Sequence, residues 1–120
     1  MKNILLIAVL LFSITTFAQK KVLLESKEDV EKMASAEFES SMTGPEGALF
    51  LFAQENNIEG TYSFKITLGD RGKVVSMFVM NREGGSIQMQ NKVKDAVKAT
   101  KFNFKLPKNK DYSLEYKFKF

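Results

Sequence analysis

The stretch Thr61-Tyr62-Ser63-Phe64-Lys65-Ile66-Thr67-Leu68-Gly69-Asp70-Arg71-Gly72-Lys73-Val74-Val75-Ser76-Met77-Phe78-Val79-Met80-Asn81 decides the fold. Tyr62, Phe64, Ile66 and Leu68 alternate with Ser63, Lys65 and Thr67, the period of a strand with one face buried. Gly69-Asp70-Arg71-Gly72 is a tight-turn sequence, and Val74 to Asn81 is a second β-rich run, so the stretch predicts a hairpin. In the second run Val75, Met77 and Val79 face one way and Val74, Ser76, Phe78 and Met80 the other, leaving both sides largely apolar. That pattern predicts a central strand, or one with a packed layer on each face.

Toward the C-terminus, Gly84-Gly85 ends the strand and Ser86 caps a helix reaching Lys101. Met89, Val93, Ala96, Val97 and Thr100 fall at i, i+4, i+7, i+8 and i+11, an apolar stripe that lays the helix on a sheet. Phe102-Asn103-Phe104 and a turn from Pro107 to Lys110 lead into a closing strand, Asp111 to Phe120. There Tyr112, Leu114, Tyr116, Phe118 and Phe120 alternate with polar residues.

Toward the N-terminus, Ser26 is an N-cap with Glu28 and Asp29 in the first turn. They predict a helix to about Ser41, with Val30, Met33, Ala34 and Phe38 on one side. Thr43-Gly44-Pro45-Glu46-Gly47 breaks it. Ala48 to Ala53 is too short for periodicity to separate helix from strand, and the polar stop Gln54 to Asn57 favours a short helix. The expected class is α+β: an antiparallel three-stranded sheet in ββαβ order, an amphipathic helix on one face, and one or two helices ahead of it.

The start of the chain reads as an export signal: Lys2, an apolar run from Ile4 to Phe12, then a looser stretch to Ala18. The 16 residues from Asn3 to Ala18 include Ser and two Thr, short of the roughly 20 apolar residues a spanning helix needs. Cleavage after Ala18 is therefore expected, with the membrane relevant only if the segment stays attached. Residues 19–57 then read as a helical extension and 58–120 as a ββαβ domain, in the periplasm or secreted. A lipid anchor on cysteine is excluded because the chain has no Cys, and for the same reason stability must come from packing rather than disulfides. Eleven Phe and no Trp point to a Phe-rich core.

The net charge of +4 divides unevenly: residues 19–60 carry −5 and residues 61–120 carry +8. A basic half raises nucleic-acid binding, but eleven of its thirteen cations are Lys, with only Arg71 and Arg82 for bidentate contacts. Solvated strand and helix faces explain it better, and no nucleic-acid partner is expected. The absence of His removes His-based triads, His-ligated metals and switching near neutrality. Glu28, Asp29 and Glu31, or Glu37 and Glu39, could pair for acid–base work, but they sit where helix capping and solvation want acids. Gly69 to Gly72 matches no phosphate loop, and Asp70 with Glu83 lacks the spacing of a calcium loop. No catalytic residue, cofactor or metal is expected, and the protein is not read as an enzyme.

Gly60, the turn Asp70 to Val74, the helix with Val93, Ala96 and Val97, Lys101-Phe102 and the ending Tyr116-Lys117-Phe118-Lys119-Phe120 together resemble the C-terminal domain of TonB-type energy transducers. The likeness covers about half of the chain. It departs from the family in having no Pro-rich spacer, in Asn56-Asn57 ahead of the first strand, and in lacking a compact aromatic-x-Pro element. The resemblance implies a stand-alone, diverged module that binds a protein of the outer membrane or envelope by adding a peptide to a sheet edge. It places that edge on the final strand, at Tyr112, Leu114, Tyr116, Lys117, Phe118 and Phe120. Lys117 and Lys119 would equally serve to deter uncontrolled pairing. Two further readings stay open: a strand-exchanged homodimer, and a carrier of a small apolar ligand held by Phe64, Phe78, Phe102 and Phe104.

Overall fold

The computed structural model describes residues 21–120, so the expected signal segment Met1 to Ala18 lies outside the described residues. The chain begins with a two-residue strand, β1 (Val22–Leu23), followed by α1 (Lys27–Ser41) and α2 (Ala48–Asn56). The hairpin β2 (Thr61–Gly69) and β3 (Lys73–Glu83) comes next, then α3 (Ile87–Lys98), β4 (Phe104–Lys105) and β5 (Tyr112–Lys119). The class is α+β, with an antiparallel three-stranded sheet in the order β3-β2-β5.

The helix starts have the local chemistry the sequence supplies. The Ser26 hydroxyl accepts the Asp29 N–H at 3.1 Å, and the Ser86 hydroxyl accepts the Met89 N–H at 3.1 Å. Each satisfies a donor that a helix N-terminus leaves without an intrahelical partner. Ala48 to Asn56 is helical, and Asn57 ends it in the left-handed conformation that Asn tolerates. The hairpin turn closes through the Gly72 N–H on the Gly69 carbonyl at 2.8 Å. Asp70 and Arg71 take φ of 44° and 68°, the sign of a type I′ turn, whose twist matches that of the strands.

β3 departs from the expected central position. β2 occupies the centre because it pairs with both neighbours, leaving β3 as an edge. Two bulges also reset its facing: the register steps from Ser63–Asn81 to Phe64–Val79 and from Thr67–Ser76 to Leu68–Val74, so Met80 and Val75 are left unpaired. Each extra residue reverses the alternation. Val74, Met77 and Val79 consequently share the helix-covered face with Leu68, Ile66 and Phe64, while Phe78 lies opposite Lys65 on the far face. The apolar character of both sides of β3 therefore reflects an edge strand left open on the far face and, at Val79, beyond the cover of the helices, rather than a second packed layer.

One face of the sheet carries the core. Phe38 of α1 meets the rings of Phe102, Tyr116 and Phe118 at centroid distances of 5.4, 5.2 and 5.2 Å. Val30 and Ala34 of α1 and Val93 and Val97 of α3 are buried in the same cluster as Tyr62, Phe64, Ile66 and Leu68. Residues 21–57 thus contribute to the core of the sheet. Glu37 fastens α1 further by accepting the Asn103 backbone N–H with both carboxylate oxygens, at 2.9 and 3.2 Å. The pair β1–β4 is parallel, Val22 opposite Phe104, and ties the start of the described chain to the segment after α3.

Candidate functional site: the two edges of the sheet

A three-stranded sheet has two edges, and here they differ. Along β5 the N-terminal segment lies close: the Tyr112 hydroxyl donates to the Glu25 carbonyl at 2.7 Å, and Phe38 packs on Tyr116 and Phe118. A shallow cleft between α1 and β5 is lined by Lys27, Glu31 and Ser35 with Lys65, Ser113 and Glu115. Of the six residues expected to meet a partner there, Tyr112, Leu114 and Phe118 are buried in the core. Tyr116 and Phe120 are half-buried against it, and Lys117 is exposed. Their alternation reports core packing; contact along β5 would fall to its backbone, to exposed Glu115, Lys117 and Lys119, and to the open parts of Tyr116 and Phe120.

β3 is the opposite case. Its outer edge pairs with no strand among the described residues. Phe78 is 68% exposed, and Val75, Val79 and Met80 are exposed as well. Large apolar side chains gathered on one strand are the unusual observation, since scattered exposed apolar residues are ordinary. Ile87, at the start of α3, extends the exposed apolar set just beyond the strand. Sequence reading missed this surface because the run Val74 to Met80 looks like a doubly buried strand. The signal that could have found it is the strongly polar alternation of β2 and β5, which leaves nothing apolar to cover Phe78.

The four Phe considered for a ligand cavity are separated. Phe64, Phe102 and Phe104 are packed in the core, with Phe102 and Phe104 rings 5.0 Å apart, while Phe78 projects from the other face. Among the described residues no group of acids, Cys or His could hold a metal ion. No helix there is long and apolar enough to cross a membrane. Of the acids considered for acid–base chemistry, Glu28 and Asp29 occupy the first turn of α1, Glu31 is 3.8 Å from exposed Lys27, and Glu37 holds the Asn103 amide.

Two tyrosines have raised pKa values. Burial is the main cause at Tyr62, reinforced by Glu59 and opposed by Arg82. At Tyr116 burial again leads, with Glu39 adding to it. A folded-state value above the unfolded one means the contribution of each phenol is fully present below the unfolded value of about 10 and is lost as pH rises through the folded value. Denaturant midpoints are therefore expected to fall above pH of about 10, and the double variant Tyr62→Phe/Tyr116→Phe should flatten that fall. An equally steep fall in the double variant would refute the assignment.

A scan against protein-family models matches none, and neither curated proteins nor solved structures give a match.

Proposed function

We propose that this chain is an exported, non-enzymatic protein-binding module that recognises an extended segment of an envelope protein at a sheet edge, and that the recognising edge is β3. The observation that carries this reading is the uncovered apolar strand, centred on Phe78 at 68% exposure. Export rests on the signal-like order of Met1 to Ala18. In strand addition, main-chain hydrogen bonds supply affinity and alternate side chains supply specificity. The bulges at Val75 and Met80 leave Ser76 to Val79 as the longest unbroken run of register in β3, so the partner contributes a short strand there. Phe78 and Val79, on opposite faces, grip it from both sides. The same bulges keep long strands of unrelated chains from stacking on the edge.

Capture of envelope proteins from the host on immobilised mature protein tests this. Phe78→Lys, which leaves the core intact, is expected to reduce recovery of a specific partner about tenfold, the loss of one apolar anchor. Its unfolding transition should stay within about 0.5 kcal/mol of the parent, as for surface substitutions. Lys117→Pro in β5 is expected to leave recovery unchanged. Recovery that survives Phe78→Lys and is lost in Lys117→Pro would place recognition on β5 and overturn this choice of edge.

A further inference from the structure

Beyond the hairpin turn, cations from four separate segments line one open cleft of about 790 Å³. Lys21 precedes β1, Arg71 lies in the β2–β3 turn and Lys73 opens β3, Lys101 follows α3, and Lys108 lies between β4 and β5. Two carboxylates share the cleft. Asp70 is 3.9 Å from the Lys73 ammonium, and the Asp111 carboxylate is turned onto Gly69. Among the described residues, Lys21, Arg71, Lys101 and Lys108 make no ion pair. Five cations against two carboxylates leave the cleft with a net charge of +3, and a cleft focuses that field on whatever anion enters.

The turn adds a second, independent observation. A hairpin turn with two left-handed residues is relaxed with Asn-Gly, yet here Asp70 and Arg71 occupy those positions, at φ of 44° and 68°. Holding a non-glycine residue such as Arg71 there strains the backbone. Strain accepted at a position whose residue lines the cationic cleft points to use of the side chain.

We propose that this cleft binds a ligand carrying several closely spaced phosphate groups. Three of the four unpaired cations are Lys, which meets phosphate as a point charge, while the single Arg can take two oxygens at once. Two or three adjacent phosphate groups would balance the net charge of +3 that five cations and two carboxylates leave there. The site shares Val75 with the exposed strand but includes neither Phe78, Val79 nor Met80, and it does not depend on the binding role of β3. The phosphates could belong to a lipid headgroup or to a free polyphosphate, and both are tested.

Calorimetry of the mature protein with tripolyphosphate, and co-sedimentation with vesicles of phosphatidylcholine containing cardiolipin, whose headgroup carries two phosphates, are run at low salt, where exposed charges are least screened. Lys101→Glu/Lys108→Glu is expected to weaken binding about tenfold or more, a loss of about 1.4 kcal/mol or greater. Lys65→Glu/Lys117→Glu, the same charge change on the open face of the sheet, should alter it less than about twofold if the site is local. Arg71→Gly is expected to weaken binding while raising the melting temperature, because it relaxes the turn; this separates lost recognition from lost folding. Loss confined to the cleft variants supports the site, and whichever probe binds more tightly names the source. Equal loss in both double variants, or no binding of either probe, would overturn the proposal.

Discussion

Phe38→Ala is expected to destabilise the protein by about 3–5 kcal/mol, the usual cost of truncating a buried aromatic. Phe38 is fully buried and joins α1 to the segment after α3 and to β5 through Phe102, Tyr116 and Phe118. Removing the ring leaves a cavity bounded by elements that are themselves tethered, by Glu37 on the Asn103 amide and by the Tyr112 hydroxyl on the Glu25 carbonyl. The walls therefore cannot close easily. For a domain of this size each kcal/mol moves the melting temperature by about 4–8 °C, so a fall of about 12 °C or more should appear in a calorimetric scan. Met33→Ala, on the exposed side of the same helix, is the control and should move it little. A small shift in Phe38→Ala would mean that α1 is an appendage of the sheet, the division at residue 57 that the sequence suggests, rather than one wall of its core.

The second large effect is expected at Gly85→Ala. Gly85 has a φ of +65°, and a Cβ there would lie 2.7 Å from the Glu59 carbonyl oxygen and against the Tyr62 hydroxyl. Those two groups are joined by a hydrogen bond, the hydroxyl donating to the carbonyl at 2.6 Å, and the methyl would force them apart. Left-handed strain of about 1–2 kcal/mol and overpacking of about 1–3 kcal/mol then act together. Gly84→Ala provides the contrast: its φ is +69°, but its Cβ would come only within 3.4 Å of the Gly60 Cα. It should incur mainly the backbone term, about 1–2 kcal/mol. Comparable losses in the two variants, read from denaturant midpoints, would show that packing around Tyr62 is looser than its geometry indicates.

Much of this architecture is written in periodicity. The alternation in β2 and β5 survives intact in their burial, because both lie against helices on one face and face solvent on the other. The apolar stripe of α3 likewise buries Val93 and Val97. β3 resists the same reading, since its two bulges depend on how it fits its neighbour and shift every later side chain to the other face. The β1–β4 pair has no legible signature at all: two residues carry no period, and their partners lie far apart in the chain. The residues chosen on β5 for partner contact illustrate a further confusion. Tyr112, Leu114 and Phe118 are prominent in the sequence for the same reason that they are hidden in the fold.

By itself the sequence determined the helix starts at Ser26 and Ser86, the hairpin turn, the α+β class and the absence of cysteine and histidine chemistry, all of which depend on neighbours in the chain. Tertiary structure alone decided which strand is central, which apolar residues are left in water, and that cations at positions 21, 71, 101 and 108 line one cleft. The physical reason is range. Capping, turn geometry and amphipathicity act over a few residues, whereas edge exposure and charge clustering follow from which distant segments pack together.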